Sequence, residues 1–260
     1  MPVDTASGIY YEVHGRGEPL FLGFPVFASG HEIDAAMGRM RDGYLQRFTD
    51  RYRVLVADYP SLGRSAGMPP LEFTAERACA DMLSVADAAG FDRFAWFGYS
   101  LGAAIGLQLA TRTDRLTALV AAGWAPLGGL YAAMGRAAMV NIDNPPDYAL
   151  RVLRNPAQYR QWSTFWNSLA DWPEAAAVPR IRCPRLALAG SAAVADGGGM
   201  IIPYGQVLAE RRSELEALGW EVALLEGRSH EDCVDPAVVL PQVRRFLDRV
   251  LPAPRAHAAP

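Results

Sequence analysis

The chain has 260 residues, 51% apolar and 20% charged, with 25 basic and 28 acidic side chains for a net charge of −3. That profile suits a globular protein with one large core, or one core plus a small insertion, and it offers no basic footprint for nucleic acid or anionic membrane. All 25 basic residues are arginine, so Schiff-base and phosphate-loop chemistries that need a lysine are removed; the bias fits a GC-rich bacterial genome.

Cys79, Cys183 and Cys233 are few, odd in number and far apart, and read as reduced, mostly buried thiols of a cytoplasmic protein. No CxxC or HExxH spacing occurs and the four histidines are scattered, so neither a metal site nor a cofactor is expected. The start, MPVDTASGIYYEV, lacks the basic residues and apolar run of a signal peptide. The longest apolar run falls far short of a membrane span.

Taken in chain order, IYYEV (9–13) alternates like an edge strand, and EPLFLGF (18–24) follows a Gly-rich turn as a buried strand. RVLVAD (53–58), RFAWFGY (93–99), LTALVAA (116–122) and PRLALAG (184–190) are short, apolar and bounded by turn residues, as buried parallel strands should be. Amphipathic stretches at 74–89 and 204–219 predict helices; WEVALLEG (220–227) predicts the last strand and 236–251 a closing helix. Such alternation predicts a doubly wound, mostly parallel sheet, with ligands at the carboxyl ends of its strands. The core comprises residues 1–123 and 180–251. Between them, 124–179 has no convincing strand but carries Tyr131, Tyr148, Tyr159, Trp162, Phe165, Trp166 and Trp172. It reads as a helical insertion over the sheet edge, whose aromatics either face a ligand or pack its own small core. The tail, 252–260, holds turn and small residues and reads as disordered.

Residues 93–106, RFAWFGYSLGAAIG, set Gly98-Tyr99-Ser100-Leu101-Gly102 between a strand and a helix. A G-x-S-x-G match alone is weak; the strand–turn–helix context gives it weight. A serine on so sharp a turn takes strained backbone angles, and neighbours without Cβ let strand and helix approach. Its hydroxyl then projects at a helix N-terminus, where amide dipoles favour developing negative charge. A plain helix cap is the bland alternative.

With GYSLG, three further segments make the chain resemble the α/β-hydrolase family over nearly its whole length. FLGFP (21–25) sits where that family has a strand ending in HGFP. DYPSLGRS (58–65) is similar to its D-x-x-G-x-G-x-S stretch, and GRSHEDCVDPAVVLPQVRRFL (227–247) to its histidine loop and final helix. The resemblance implies an α/β-hydrolase fold with a small helical lid, Ser100 as nucleophile and His230 as general base. It also implies an oxyanion hole made by the backbone N–H groups of Phe24 and Leu101. His14 reads as structural or exposed, His257 belongs to the tail, and His31 is a candidate pocket residue beside the oxyanion loop. Tyr99, Phe27, Trp124, Tyr131, Trp162, Phe165 and Trp166 complete the candidate substrate wall.

Two departures stand out. Leu22 replaces the histidine of the usual HG pair, removing side-chain support from the oxyanion loop. The family's G-x-x-D after the penultimate strand reads here Gly190-Ser191-Ala192-Ala193, and GWAPLGG after the preceding strand holds no carboxylate. Asp196 is the only acidic residue between Arg185 and Glu210. Either Asp196 orients His230, or a rival among Glu231, Asp232 and Asp235 does, or the triad lacks its acid. The leading expectation is a serine hydrolase of a small or medium apolar ester, lactone, thioester or carbon–carbon substrate, acting through an acyl-enzyme. An aspartate nucleophile, needed by the family's dehalogenases and epoxide hydrolases, is absent from the elbow. The alternatives are a lyase or cyclase using His230 as base, and a binding protein with a degenerate triad. Small apolar substrates are the expected partners, without nucleic acid or membrane; oligomeric state is not legible.

Overall fold

Residues buried on both faces of a sheet must be apolar at every position, and the central strands obey this. In the computed structural model, which describes residues 2–192, 194–195 and 201–251, the strands are β1 (Tyr11–His14), β2 (Glu18–Gly23), β3 (Tyr52–Ala57), β4 (Phe94–Tyr99), β5 (Leu116–Ala122), β6 (Arg185–Gly190), β7 (Val194–Ala195), β8 (Ile201–Ile202) and β9 (Trp220–Leu225). Seven of them form one sheet in the order β1-β3-β2-β4-β5-β6-β9. Only β1 runs antiparallel, pairing Tyr11 with Ala57 and His14 with Val54, which makes it the edge expected from its alternating pattern. It begins two residues later than predicted, because Tyr10 instead bridges to Val3. The two-residue strands β7 and β8 pair with each other and have no counterpart in the sequence pattern.

Alternate side chains divide the core. Phe21, Leu55, Trp96, Leu119 and Ala187 face one layer, with Ala78, Met82 and Val85 of α3 (Ala75–Ala88) and Ile105 and Leu109 of α4 (Leu101–Arg112). Leu22, Val56, Phe97, Val120 and Leu188 face the other, against Tyr44 and Phe48 of α2 (Ala35–Phe48) and Val239, Val243 and Phe246 of α11 (Pro236–Val250). Residues 35–48, where the sequence pattern marks no element, form α2; Asp34 caps it by accepting from Met37 N–H at 2.8 Å.

The single helix expected over 204–219 is two, α9 (Tyr204–Glu210) and α10 (Arg212–Ala217), separated by Arg211 at φ −93° and ψ 3°. The two halves serve different strands, α9 lying chiefly on β6 and α10 on β9. A short α1 (Gly30–Ile33) precedes α2. Between β5 and β6 run α5 (Tyr131–Val140), α6 (Asp147–Val152), α7 (Pro156–Asn167) and α8 (Glu174–Ala177). The tail from 252 onward lies outside the described residues, as does Asp196.

Candidate active site

Ser100 sits between β4 and α4 at φ 53°, ψ −114°, a left-handed conformation that costs a non-glycine residue about 1–3 kcal/mol. Neighbouring packing imposes it. The N–H of Ser100 donates to Ala122 O at 2.8 Å, tying the elbow to β5. Buried Trp96 donates from Nε1 to Gly102 O at 2.9 Å. A Cβ on Gly102 would collide with the carbonyl of Gly23, and one on Gly98 with the carbonyl of Gly102. The flanking glycines thus let α4 start in contact with the end of β2.

His230, after β9, brings Nε2 to 3.2 Å from Ser100 Oγ. The imidazole is held by rings: Tyr99 stacks on it at 4.9 Å and 28°, and Tyr204 lies 5.0 Å away at 36°. Tyr99 also donates its hydroxyl to the His230 carbonyl at 2.6 Å. Burial lowers the imidazole to about 4, so the ring is neutral at ordinary pH. Nδ1 is buried and has no hydrogen-bond partner among the described residues.

The rival carboxylates are committed elsewhere or unengaged with the ring. Asp232 accepts from Ser229 N–H at 2.8 Å, and Asp235 caps α11 through Ala237 N–H, also at 2.8 Å. Glu231 is exposed. Gly123, directly after β5, has φ 65°, and a Cβ there would lie 2.8 Å from His230 Cε1, so no side chain fits at that position beside the ring. Cys233 is buried, and burial pushes its thiol up to about 11, so it stays protonated at ordinary pH.

Of the two expected oxyanion donors, Leu101 is the first residue of α4, so its N–H has no acceptor within the helix. Phe24 differs: its N–H donates to Leu22 O at 3.1 Å across a tight turn. The support that Leu22 cannot give comes from Asp58, a fully buried carboxylate. It accepts from Phe27 N–H and Ser29 N–H, both at 3.1 Å, from the Ser29 hydroxyl, and from Arg64 N–H at 3.1 Å. Its signal was present in the sequence as the D of DYPSLGRS, whose Gly63 adopts φ 50° over the carboxylate.

The remaining candidates separate into two groups. Trp124 and Tyr131 are buried near the site, with Trp124 5.2 Å from Tyr204, 5.2 Å from Tyr131 and 4.8 Å from Trp166. These rings continue outward from His230. Phe27, by contrast, is core: it stacks on Phe24 at 4.5 Å and meets Tyr44 edge-on. His31 lies on the surface, 2.9 Å from Asp42. Phe165 packs on Phe73 at 5.8 Å and Trp162 lines a small cavity inside the insertion with Met134 and Tyr159. Sequence pattern does not specify which way a side chain in a loop or an insertion helix points, so it did not separate these four positions from Trp124 and Tyr131. Tyr204 was missed because it looked like the start of an ordinary amphipathic helix.

The alpha/beta hydrolase family model matches residues 13–250. The chain is 33% identical over 129 residues to "Putative carbamate hydrolase RutD" of Caulobacter vibrioides, a match spanning 48% of this chain and 45% of that protein. It is thus similar to less than half the length of that relative. Among solved structures it resembles E-2-(acetamidomethylene)succinate hydrolase at TM-score 0.69, 18% identity and coverage of 92% and 95% of the two chains. It also resembles the enol-lactonase of Burkholderia xenovorans LB400 at TM-score 0.64 and 19% identity, with 92% and 96% covered. Those likenesses speak for the fold. With the family model matching nearly the whole length, on a sheet and elbow of this form, the chain belongs to the alpha/beta hydrolase family.

Proposed function

We propose that the protein is a serine hydrolase that attacks a carbonyl through Ser100 and passes through an acyl-enzyme. The approach of His230 Nε2 to Ser100 Oγ at 3.2 Å, on a serine held at φ 53°, carries this reading. His230 takes the hydroxyl proton as Oγ attacks and returns it to the leaving group; water then repeats the sequence to release the acid. Leu101 N–H faces the oxyanion, and Phe24 N–H joins it by exchanging Leu22 O for the substrate oxygen. Asp196 is assigned the orienting role by chain order, lying after β6 and before His230, and because Asp232 and Asp235 are engaged elsewhere and Glu231 is exposed. The carbamate named for one relative and the lactone named for one structural neighbour both contain an acyl carbon of the kind a serine nucleophile attacks. Rings at Tyr99, Tyr204 and Trp124 favour an apolar acyl or aromatic group, each buried CH₂ contributing about 0.8 kcal/mol.

A fluorophosphonate probe tests the proposal. It should label Ser100 alone, and Ser100→Ala should abolish labelling together with hydrolysis of p-nitrophenyl esters. Turnover surviving in Ser100→Ala would replace the acyl-enzyme by a lyase or cyclase that uses His230 as base. A wild-type protein that takes no label and turns over nothing would indicate a binding protein.

A further inference from the structure

We propose that a groove at the opposite end of the sheet from Ser100 binds a small polyanion, a phosphorylated or polycarboxylate metabolite with at least two anionic groups. The groove measures about 730 Å³, within the range of roughly 300–1,000 Å³ typical of small-molecule sites. Arg93, Arg112, Arg180 and Arg182 line it, against one carboxylate, Asp114. Four guanidinium groups and one carboxylate leave a local charge of 4 − 1 = +3 on a chain whose net charge is −3.

The placement separates this groove from the catalytic site. Arg93 precedes β4, Leu116 and Thr117 open β5, and Pro184 precedes β6. Ser100 follows the far end of β4, so the strand, at about 3.3 Å per residue, puts roughly 20 Å between them. Among the described residues, none of the four arginines forms an ion pair. Neighbouring Arg115 differs: it is spent on Asp87 and on the carbonyls of Phe91 and Asp92. The carbonyl end of α4 opposes an anion, and Arg112 offsets it: its Nη1 donates to Gln108 O at 3.2 Å and to Gln108 Oε1, which holds a positive charge on the last turn of α4.

The guanidinium groups come from three chain segments, so a ligand with two or more anionic groups can engage several at once. Arginine suits this task because its planar fork meets carboxylate or phosphate oxygens in pairs. Nucleic acid is disfavoured by the chain's overall negative charge. A membrane surface is disfavoured because the exposed large apolar residues, Val3, Leu71, Met139, Val140 and Leu150, all lie outside the groove.

Calorimetric titration of the full chain near physiological ionic strength tests the assignment, with pyrophosphate and citrate as probes and inorganic phosphate as reference. At least one polyanion should bind saturably at one site per chain, about tenfold or more tighter than phosphate. The exposed pair Arg180→Gln/Arg182→Gln, and separately Arg93→Gln, should weaken it by about tenfold or more while ester hydrolysis stays unchanged. Absence of saturable binding would overturn the proposal, as would binding that survives both variants. So would binding only to anionic vesicles or to RNA.

Discussion

At the scale of one residue, the state of His230 sets the pH dependence. The ring is crowded by two phenols, Tyr99 and Tyr204, and burial alone lowers it to about 4. A carboxylate at Nδ1 would favour the imidazolium and move that value upward. If Asp196 orients the ring, the acid limb of kcat/KM in the wild type should lie well above pH 4. Asp196→Asn should then shift the limb down towards 4 and lower kcat by orders of magnitude through the wrong tautomer. Identical limbs near pH 4 in both proteins would leave Asp196 without that role. The same depression has a stability consequence. Where no carboxylate reaches Nδ1, as in Asp196→Asn, the folded value lies below the ordinary 6.5, the unfolded chain takes up a proton that the folded one refuses, and stability falls as pH drops from about 6.5 to about 4; a carboxylate at Nδ1 narrows that window. The pairing of Ser100 with His230 was legible because motif, element context and chain order coincide on them. A partner acid was not, because the loop after β6 departs from the family spacing and no rule of periodicity governs a loop.

Among the elements, the elbow depends on α4 starting against the end of β2, and Gly102 makes that possible. Gly102→Ala would drive a Cβ into the carbonyl of Gly23, and the helix start would have to retreat. Leu101 N–H would move away from the Phe24 side of the site, since Gly23 immediately precedes Phe24. Expected losses are about 1–3 kcal/mol of stability from overpacking and about 10²–10³ in kcat from a misplaced oxyanion donor, with KM changed far less. Melting curves and ester kinetics on the purified variant would measure both. An alanine variant with wild-type melting and kcat would sink this account. The strands β2 to β6 were legible in the sequence because two-sided burial makes them uninterrupted apolar runs. Helix α2 was not: AAMGRMRDGYLQRF dilutes its apolar stripe with Gly38, Gly43 and charged residues, and Tyr44, Leu45 and Phe48 are anchors only once α11 and the sheet lie beside them. The division of 204–219 was equally hidden, since no glycine or proline marks Arg211.

Across the whole molecule, the insertion is joined to the catalytic core by polar contacts that hydrophobic pattern does not reveal. Gln161, buried in α7, donates to Pro60 O at 2.7 Å, and Gln158 donates to Ser61 O at the same distance. Ala75 N–H donates to Ser168 Oγ at 2.9 Å, and Phe165 rests on Phe73. The loop that receives the two glutamines begins at Asp58, whose carboxylate holds Phe27 and Ser29 in the loop that follows β2 and carries the proposed oxyanion donor Phe24. The insertion and the oxyanion loop therefore meet at the same stretch, 58–65, but through different atoms. Two substitutions separate their contributions. Gln161→Leu keeps most of the volume yet leaves Pro60 O without its donor, a loss of about 1–3 kcal/mol. At about 2–4 °C per kcal/mol for a chain of this size, the melting temperature should drop by several degrees, while kcat on a short ester changes little because Asp58 keeps all its donors. Asp58→Asn instead presents an amide NH₂ to a ring of N–H donors. It should lower both melting temperature and kcat, because the oxyanion loop itself loosens. The reverse pattern, with Gln161→Leu impairing kcat and Asp58→Asn remaining silent, would mean that α7 rather than Asp58 positions the oxyanion loop.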